Sequence, residues 1–284
     1  MDWIGFSLLS VFCFTILGLL QRILAVESKN PRATAVVFNA TAALIALVIF
    51  ILTSDVNKIT LPTEKVAWIS MGLAVFCYGL FERGRFYAAK LLEASVLTTV
   101  FNITLLITLI GSFILYSETL TVNKIFGGAL ILIALFTVSY SKGNKQKISI
   151  QGIIISISIS IVLGFAQVLD KRGALYFSPE TYSILVWVLP MLVIIFPSIK
   201  ISDLKKELVR AKWRVIVIAA ANVLGYLFTL KALTLTEVTR AIPLMQTSTL
   251  FTVLAGIVIL KERDNLVRKI IAGGLALVGV YFLV

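Results

Sequence analysis

FYAAKLLEASVLTTVFNITLLITLIGSFILYSETL occupies residues 86–120, and LKALTLTEVTRAIPLMQTSTLFTVLAGIVILKERD occupies residues 230–264. Laid over each other at a shift of 144, the two stretches put Ala88 on Ala232, Glu93 on Glu237 and Glu118 on Glu262 without a gap. Each begins in an apolar run, breaks briefly, and continues in a second run of about 20 residues, the length a helix needs to cross hydrocarbon. The similarity extends outward. A shift of 146 places Leu17, Gly18 and Gln21 on Leu163, Gly164 and Gln167, and Gly127 and Gly128 on Gly273 and Gly274. Internal duplication is therefore the organising feature of the chain.

The rest of the sequence fits lipid as its solvent. Of 284 residues 59% are hydrophobic and only 14% charged, and the mean hydropathy is +1.01, which leaves too little polar surface to cover a water-soluble core. The apolar runs are continuous rather than alternating, so helices are expected and not a barrel. They predict spans at Trp3 to Arg22, Ala33 to Leu52, Val66 to Phe86, Ser95 to Leu115 and Ile125 to Tyr140, then Ile148 to Leu169, Tyr182 to Ile199, Val215 to Leu233, Ala241 to Leu260 and Val267 to Val284. The fold class expected is an all-α integral membrane protein, ten transmembrane helices in two inverted five-helix repeats. The repeats cover residues 1–141 and 148–284, joined by a polar linker at 142–147. Asp2 precedes the first run, which lacks a basic leader and a small-residue cleavage site, so that run reads as a retained helix.

Five spans per half is an odd number, so the second half enters the membrane from the opposite side. Loop charge agrees. After the second span stand Lys58 and Lys65, whereas the equivalent loop holds Lys200, Lys205, Lys206, Arg210, Lys212 and Arg214. One face collects 19 of the 26 lysines and arginines, which by the positive-inside bias predicts odd-numbered loops in the cytoplasm and both termini outside. Within the charged loop, Leu204, Leu208 and Ala211 share a stripe of a short helix over Asp203 to Trp213, expected to lie on anionic lipid.

The net charge of +12 does not indicate nucleic acid, because the basic residues are scattered at the ends of apolar runs. With no histidine, imidazole metal sites and imidazole bases are excluded, and no cofactor or metal is expected. Cys13 and Cys77 lie in apolar runs and read as packing residues.

Polar groups in hydrocarbon mark the helix faces that avoid lipid. Tyr78, Glu82 and Arg85 form one stripe on the third span, and the 144 shift carries them to Asn222, Tyr226 and Thr229 on the eighth. Ser95, Thr99 and Asn102 stripe the fourth span, with Thr239, Pro243 and Gln246 as counterparts, and Gln21 and Gln167 add one amide per half. With Arg240, at the start of the ninth span and placed to meet a carboxylate, these are the candidate substrate-binding residues. The plainer reading is that such groups merely hydrogen-bond between helices. Glu82 can pair with Arg85 or Arg83, or bind a proton or an amine. Asp170, beside Lys171 and Arg172, reads as an interfacial charge. Glu118 and Glu262 are expected to favour the N-terminal ends of the helices that follow them. The paired glycines let helices approach within the chain or across a homodimer, so monomer and dimer both stay open.

Tyr87, Ala88 and Ala89 before a tight hairpin, the Ala/Ser-rich start of the fourth span, Glu118, Gly127 and Gly128, and in the second half Ala232, Leu233, Pro243, Lys261, Glu262, Gly273 and Gly274, resemble the repeat of EamA-type drug/metabolite transporters. The resemblance covers nearly the whole chain, although Thr99 stands where the family often has proline. It implies ten helices around a cavity lined by the third, fourth, eighth and ninth spans with help from the first and sixth. The implied activity is non-enzymatic transport of a small metabolite by alternating access, with export favoured. The implied setting is the plasma (inner) membrane of a bacterium or archaeon. Arg and Lys near the mouths favour an amino acid or organic anion. The rival readings are a non-transporting scaffold or receptor and, more remotely, a membrane enzyme acting on lipid-linked phosphate.

Overall fold

The computed structural model describes residues 2–53, 61–92, 97, 100–119, 121–139, 149–252 and 266–283. Its helices are α1 (Trp3–Glu27), α2 (Pro31–Thr53), α3 (Lys65–Leu91), α4 (Ile103–Tyr116), α5 (Val122–Ser139), α6 (Ile150–Tyr176), α7 (Pro179–Val188), α8 (Met191–Ile195), α9 (Ile201–Ala211), α10 (Trp213–Leu235), α11 (Val238–Gln246) and α12 (Leu266–Leu283). Five of them, α1, α2, α3, α6 and α10, are long and apolar enough to cross a membrane, and α4, α5, α7 with α8, and α12 contribute shorter apolar segments. The linker at 142–147 lies outside the described residues.

Local chemistry sets the ends. Asp2 accepts the Gly5 amide at 2.9 Å and caps α1, and Ser149 does the same for Gly152 at 3.1 Å on α6. Pro190, which has no amide hydrogen, splits the expected seventh span into α7 and α8. Pro243 sits inside α11, which ends three residues later at Gln246. The outside of the bundle is apolar: Leu44, Ile51, Leu52, Ile69, Ile114, Leu192 and Leu277 all point outward, as lipid demands.

The most extensive packing joins α3 to α6 and α1 to α10, and α5 to α12 follows. Exchanging the halves turns α1 into α6 and α3 into α10, so the first two pairs are equivalents of each other and the third is its own equivalent. This pattern fits a two-repeat architecture in which each half is packed mainly against the other. Missing side chains allow the close crossings. A Cβ on Gly84 of α3 would stand 2.5 Å from Ile159 Cγ2, and one on Gly127 of α5 would stand 2.7 Å from the Gly279 carbonyl oxygen. Gly273 and Gly274, expected to mediate such an approach, have no described atom within 4 Å of where a Cβ would stand; Gly279, five and six residues further along α12, takes that role.

The amphipathic segment forms as α9, but with a different face inward. Glu207 and Ala211 are buried and Leu204 is half-buried, whereas Leu208 is exposed. The reason is polar docking: the Glu207 carboxylate accepts the amides of Lys29 and Asn30 at 3.1 Å each and the Thr34 hydroxyl at 3.1 Å, and it pairs with Arg210. Leu208 and Val209 remain on the outer side with Lys205 and Lys206.

Candidate functional site

The polar stripe of α3 points into the bundle. Glu82 and Arg85 are 4% and 3% exposed, and Arg85 Nη1 donates to Glu82 Oε1 at 2.6 Å. Arg85 Nη2 donates to Gln21 Oε1 at 2.8 Å, which ties α1 to the pair, and Asn39 Nδ2 of α2 donates to Glu82 Oε2 at 3.3 Å. The guanidinium lies over Phe38, 4.7 Å from the ring centroid, with Phe86 and Phe81 at 5.3 and 5.6 Å. The planar cation is thus held by one carboxylate, one amide and three aromatic walls, the surroundings that suit guanidinium better than ammonium.

Two turns nearer the other end of α3, Tyr78 donates to Asp170 Oδ2 at 2.5 Å. Asp170, expected at an interface, is instead 1% exposed. The cause is the length of α6, which continues to Tyr176, and the departure of the neighbouring cations. Lys171 donates to the carbonyls of Leu233 and Thr236 at 2.6 Å each, and Arg172 lies 5.6 Å from the Tyr116 ring centroid. Asp170 Oδ1 accepts from Tyr226 of α10 at 2.9 Å and from Tyr182 of α7 at 3.2 Å. Gly173, three residues on, makes room for the last: a Cβ there would stand 2.1 Å from Tyr182 Cζ. Four helices therefore meet on one carboxylate.

An aromatic path joins the two centres. Phe38 packs on Trp187 at 6.4 Å between centroids, Trp187 on Tyr226 at 6.0 Å, and Tyr226 on Tyr78 at 5.7 Å. Several buried polar atoms along it have no partner among the described residues, namely Trp187 Nε1, Arg85 Nε and Asn39 Oδ1. Buried polar groups are nearly always satisfied, and these three atoms stand apart from that rule.

Of the residues marked from sequence, Gln21, Glu82 and Arg85 meet in one network, and Tyr78 and Tyr226 meet on Asp170. Asn222 is buried one turn before Tyr226 on α10. Others sit at helix contacts. Thr229 pairs with the Ser10 hydroxyl at 3.0 Å between α10 and α1, and Gln167 accepts from Thr108 at 3.0 Å between α6 and α4. Asn102 is buried with Nδ2 unpartnered among the described residues, and Gln246 is half-buried. Thr239 is buried at the start of α11 and Arg240 lies 3.6 Å from Glu237. Ser95 and Thr99 lie outside the described residues. Asp170 was the residue that sequence reasoning passed over. Its signal was indirect: two inward tyrosines on opposite halves require an acceptor for their hydroxyls.

Glu118 also departs from expectation. Its carboxylate reaches not the helix that follows it but the other half, accepting the amides of Val238 at 2.9 Å and Thr239 at 3.0 Å. Ser117, in the left-handed region at φ 51°, ends α4 and turns the chain there. Beside it Lys124 pairs with Glu237 and donates to the Thr119 carbonyl at 2.9 Å.

Fold and interior together define an integral membrane protein that turns Glu82, Arg85 and Asp170 inward within its spans and leaves large apolar side chains on the outside. The model of the EamA-like transporter family matches residues 1–140 and 150–284, and the chain belongs to that family. It is accordingly a membrane transporter of small molecules. Among solved structures, one titled "Crystal structure of protein" superposes with a TM-score of 0.71 over 99% of this chain and 95% of that one, at 13% identity, a likeness of fold. No curated protein matches the sequence.

Proposed function

We propose that the protein is a secondary carrier in which the two repeats, inverted relative to one another, rock about the polar interior and expose it alternately to either side. The cargo is an amino acid or an organic anion, moved outward across the plasma membrane. The reading is supported above all by the charged interior: the Glu82–Arg85 pair and Asp170 stand within spans where each ionisable group costs free energy, and such groups mark transport pathways. A bundle with only a scaffolding role has no need of them. The remaining sequence-derived residues, Ser95, Thr99, Asn102, Asn222, Thr239, Arg240 and Gln246, are assigned to the same pathway. The halves are taken as 1–141 and 148–284, and the termini as external.

Purified protein in liposomes, supplied in turn with labelled amino acids, nucleobases and amphipathic cations, tests this. Saturable movement of one class, lost when Gln21, Glu82 or Gln246 is replaced, is the expected result. If none of these solutes crosses faster than in empty liposomes, the carrier reading fails.

A further inference from the structure

Five of the cations that favoured an anionic cargo already have partners. Arg85 holds Glu82 and Gln21, Arg240 lies against Glu237, Lys124 pairs with Glu237, and Arg83 donates to the Phe196 carbonyl at 2.7 Å. Arg32 grips the carbonyls of Ile194, Ile195 and Pro197. Asp170 is the reverse case. It forms no ion pair with any described lysine or arginine. The ionisable groups that face it are Tyr78 and Cys77 on α3, Tyr116 at the end of α4, Tyr182 on α7 and Tyr226 on α10, and none of them is a cation. Three hydroxyls and three aromatic rings thus surround a buried carboxyl group with no described cation beside it, surroundings of the kind that receive an ammonium group. Trp187, 6% exposed, packs on Tyr226 and adds a further aromatic ring next to that wall.

We infer that the Asp170 cage is the binding subsite for an organic ammonium, so that the cargo is an amine or the amino end of an amino acid and not a simple organic anion. This rests on the carrier reading for its purpose, but its test does not need transport. Trp187 lies close enough to Tyr226 to report an occupant of the cage. In a full-length variant with Trp3, Trp68 and Trp213 replaced by phenylalanine, Trp187 is the single tryptophan.

Emission of that variant is followed in nanodiscs while isopentylamine, leucine, tetramethylammonium or 4-methylpentanoate is added at fixed pH. A saturable change with at least one of the three ammonium compounds, absent with 4-methylpentanoate, is expected. Asp170→Asn should weaken it at least tenfold, whereas Tyr182→Phe, which keeps the carboxylate, should shift it only a few-fold and so separates loss of the charge from loss of the fold. An equal response in the Asp170→Asn variant, a response to the carboxylate alone, or no response to any ammonium compound overturns the inference. Emission that follows pH but ignores all four compounds identifies a proton site only, and also overturns it. If the fluorescence result holds but liposomes move nothing, the ammonium site stands and the carrier reading is what fails.

Discussion

Arg85 and Glu82 illustrate how a membrane interior tolerates charge. Each is desolvated, and the pair persists because attraction, the Gln21 and Asn39 bonds and the Phe38 face together offset that cost. Removing one partner leaves the other uncompensated. Glu82→Leu is therefore expected to destabilise the protein by about 3–5 kcal/mol, while the joint change Glu82→Leu with Arg85→Met costs much less. Thermal unfolding of the three proteins in one detergent checks this, and equal losses in the single and double variants would show that the pair is not the stabilising unit. At Asp170 the sensitive neighbour is Gly173. Alanine there puts a methyl 2.1 Å from the Tyr182 ring, so the ring must move away and its bond to Asp170 must break. A lower melting temperature is expected in Gly173→Ala, together with weaker ammonium binding; native-like behaviour in both would mean that the ring has room to shift. The α3 stripe was readable because helical period alone places Tyr78, Glu82 and Arg85 on one face. Asp170 was not, since its two neighbouring cations imitate a helix end, and only tertiary contacts send Lys171 to the α10 carbonyls and Arg172 to Tyr116.

Helices were largely legible because hydrocarbon imposes their length. Their attachments were not, because a carboxylate can cap any amide within reach and sequence order does not say which. Glu118 caps α11, in the other half, through two amides that a helix start leaves without partners. Glu118→Ala should cost about 1–2 kcal/mol, the usual worth of a cap, and should speed amide hydrogen exchange in the α11 segment more than in α5. Faster exchange confined to α5 would instead support the local cap that sequence order suggests. The same reasoning applies to Glu207 on α9, outside the spans. Burial pushes its carboxyl up, but the bonds from Arg210, the Asn30 amide and Thr34 outweigh this and leave it below the ordinary value of 4.5. A depressed carboxyl contributes stability that is fully present above the unfolded value and is lost as pH falls through the folded one. Docking of α9 on the α1–α2 turn should thus be flat with pH from neutrality down to about 4.5 and weaken only below it. Proteolysis across α9 as a function of pH reports this, and Glu207→Gln should remove the acid dependence. Loosening that begins above pH 5 would assign the docking to another group.

For the molecule as a whole, polar contacts at each of its two ends tie one half to the other. At one, Glu118 and Lys124 of the first half bind the α10–α11 turn of the second. At the other, Arg32 and Arg83 grip carbonyls at and just past the end of α8, and Glu207 holds the α1–α2 turn. If the bundle alternates as proposed, it cannot keep both sets in every state. Weakening one set should open that end and, because the interior is shared, close the other. With Cys13 and Cys77 replaced by alanine and a single cysteine at Asn222, Glu118→Ala combined with Lys124→Ala should quicken labelling by a membrane-impermeant maleimide from the side of the termini and slow it from the side of α9. Arg32→Ala with Arg83→Ala should do the reverse. Lys205→Cys on exposed α9 assigns the sides: by charge bias it should react only in inside-out vesicles. Labelling from both sides that rises together would mean a loosened bundle rather than two linked gates, because a population moved between two states cannot gain access at both ends at once.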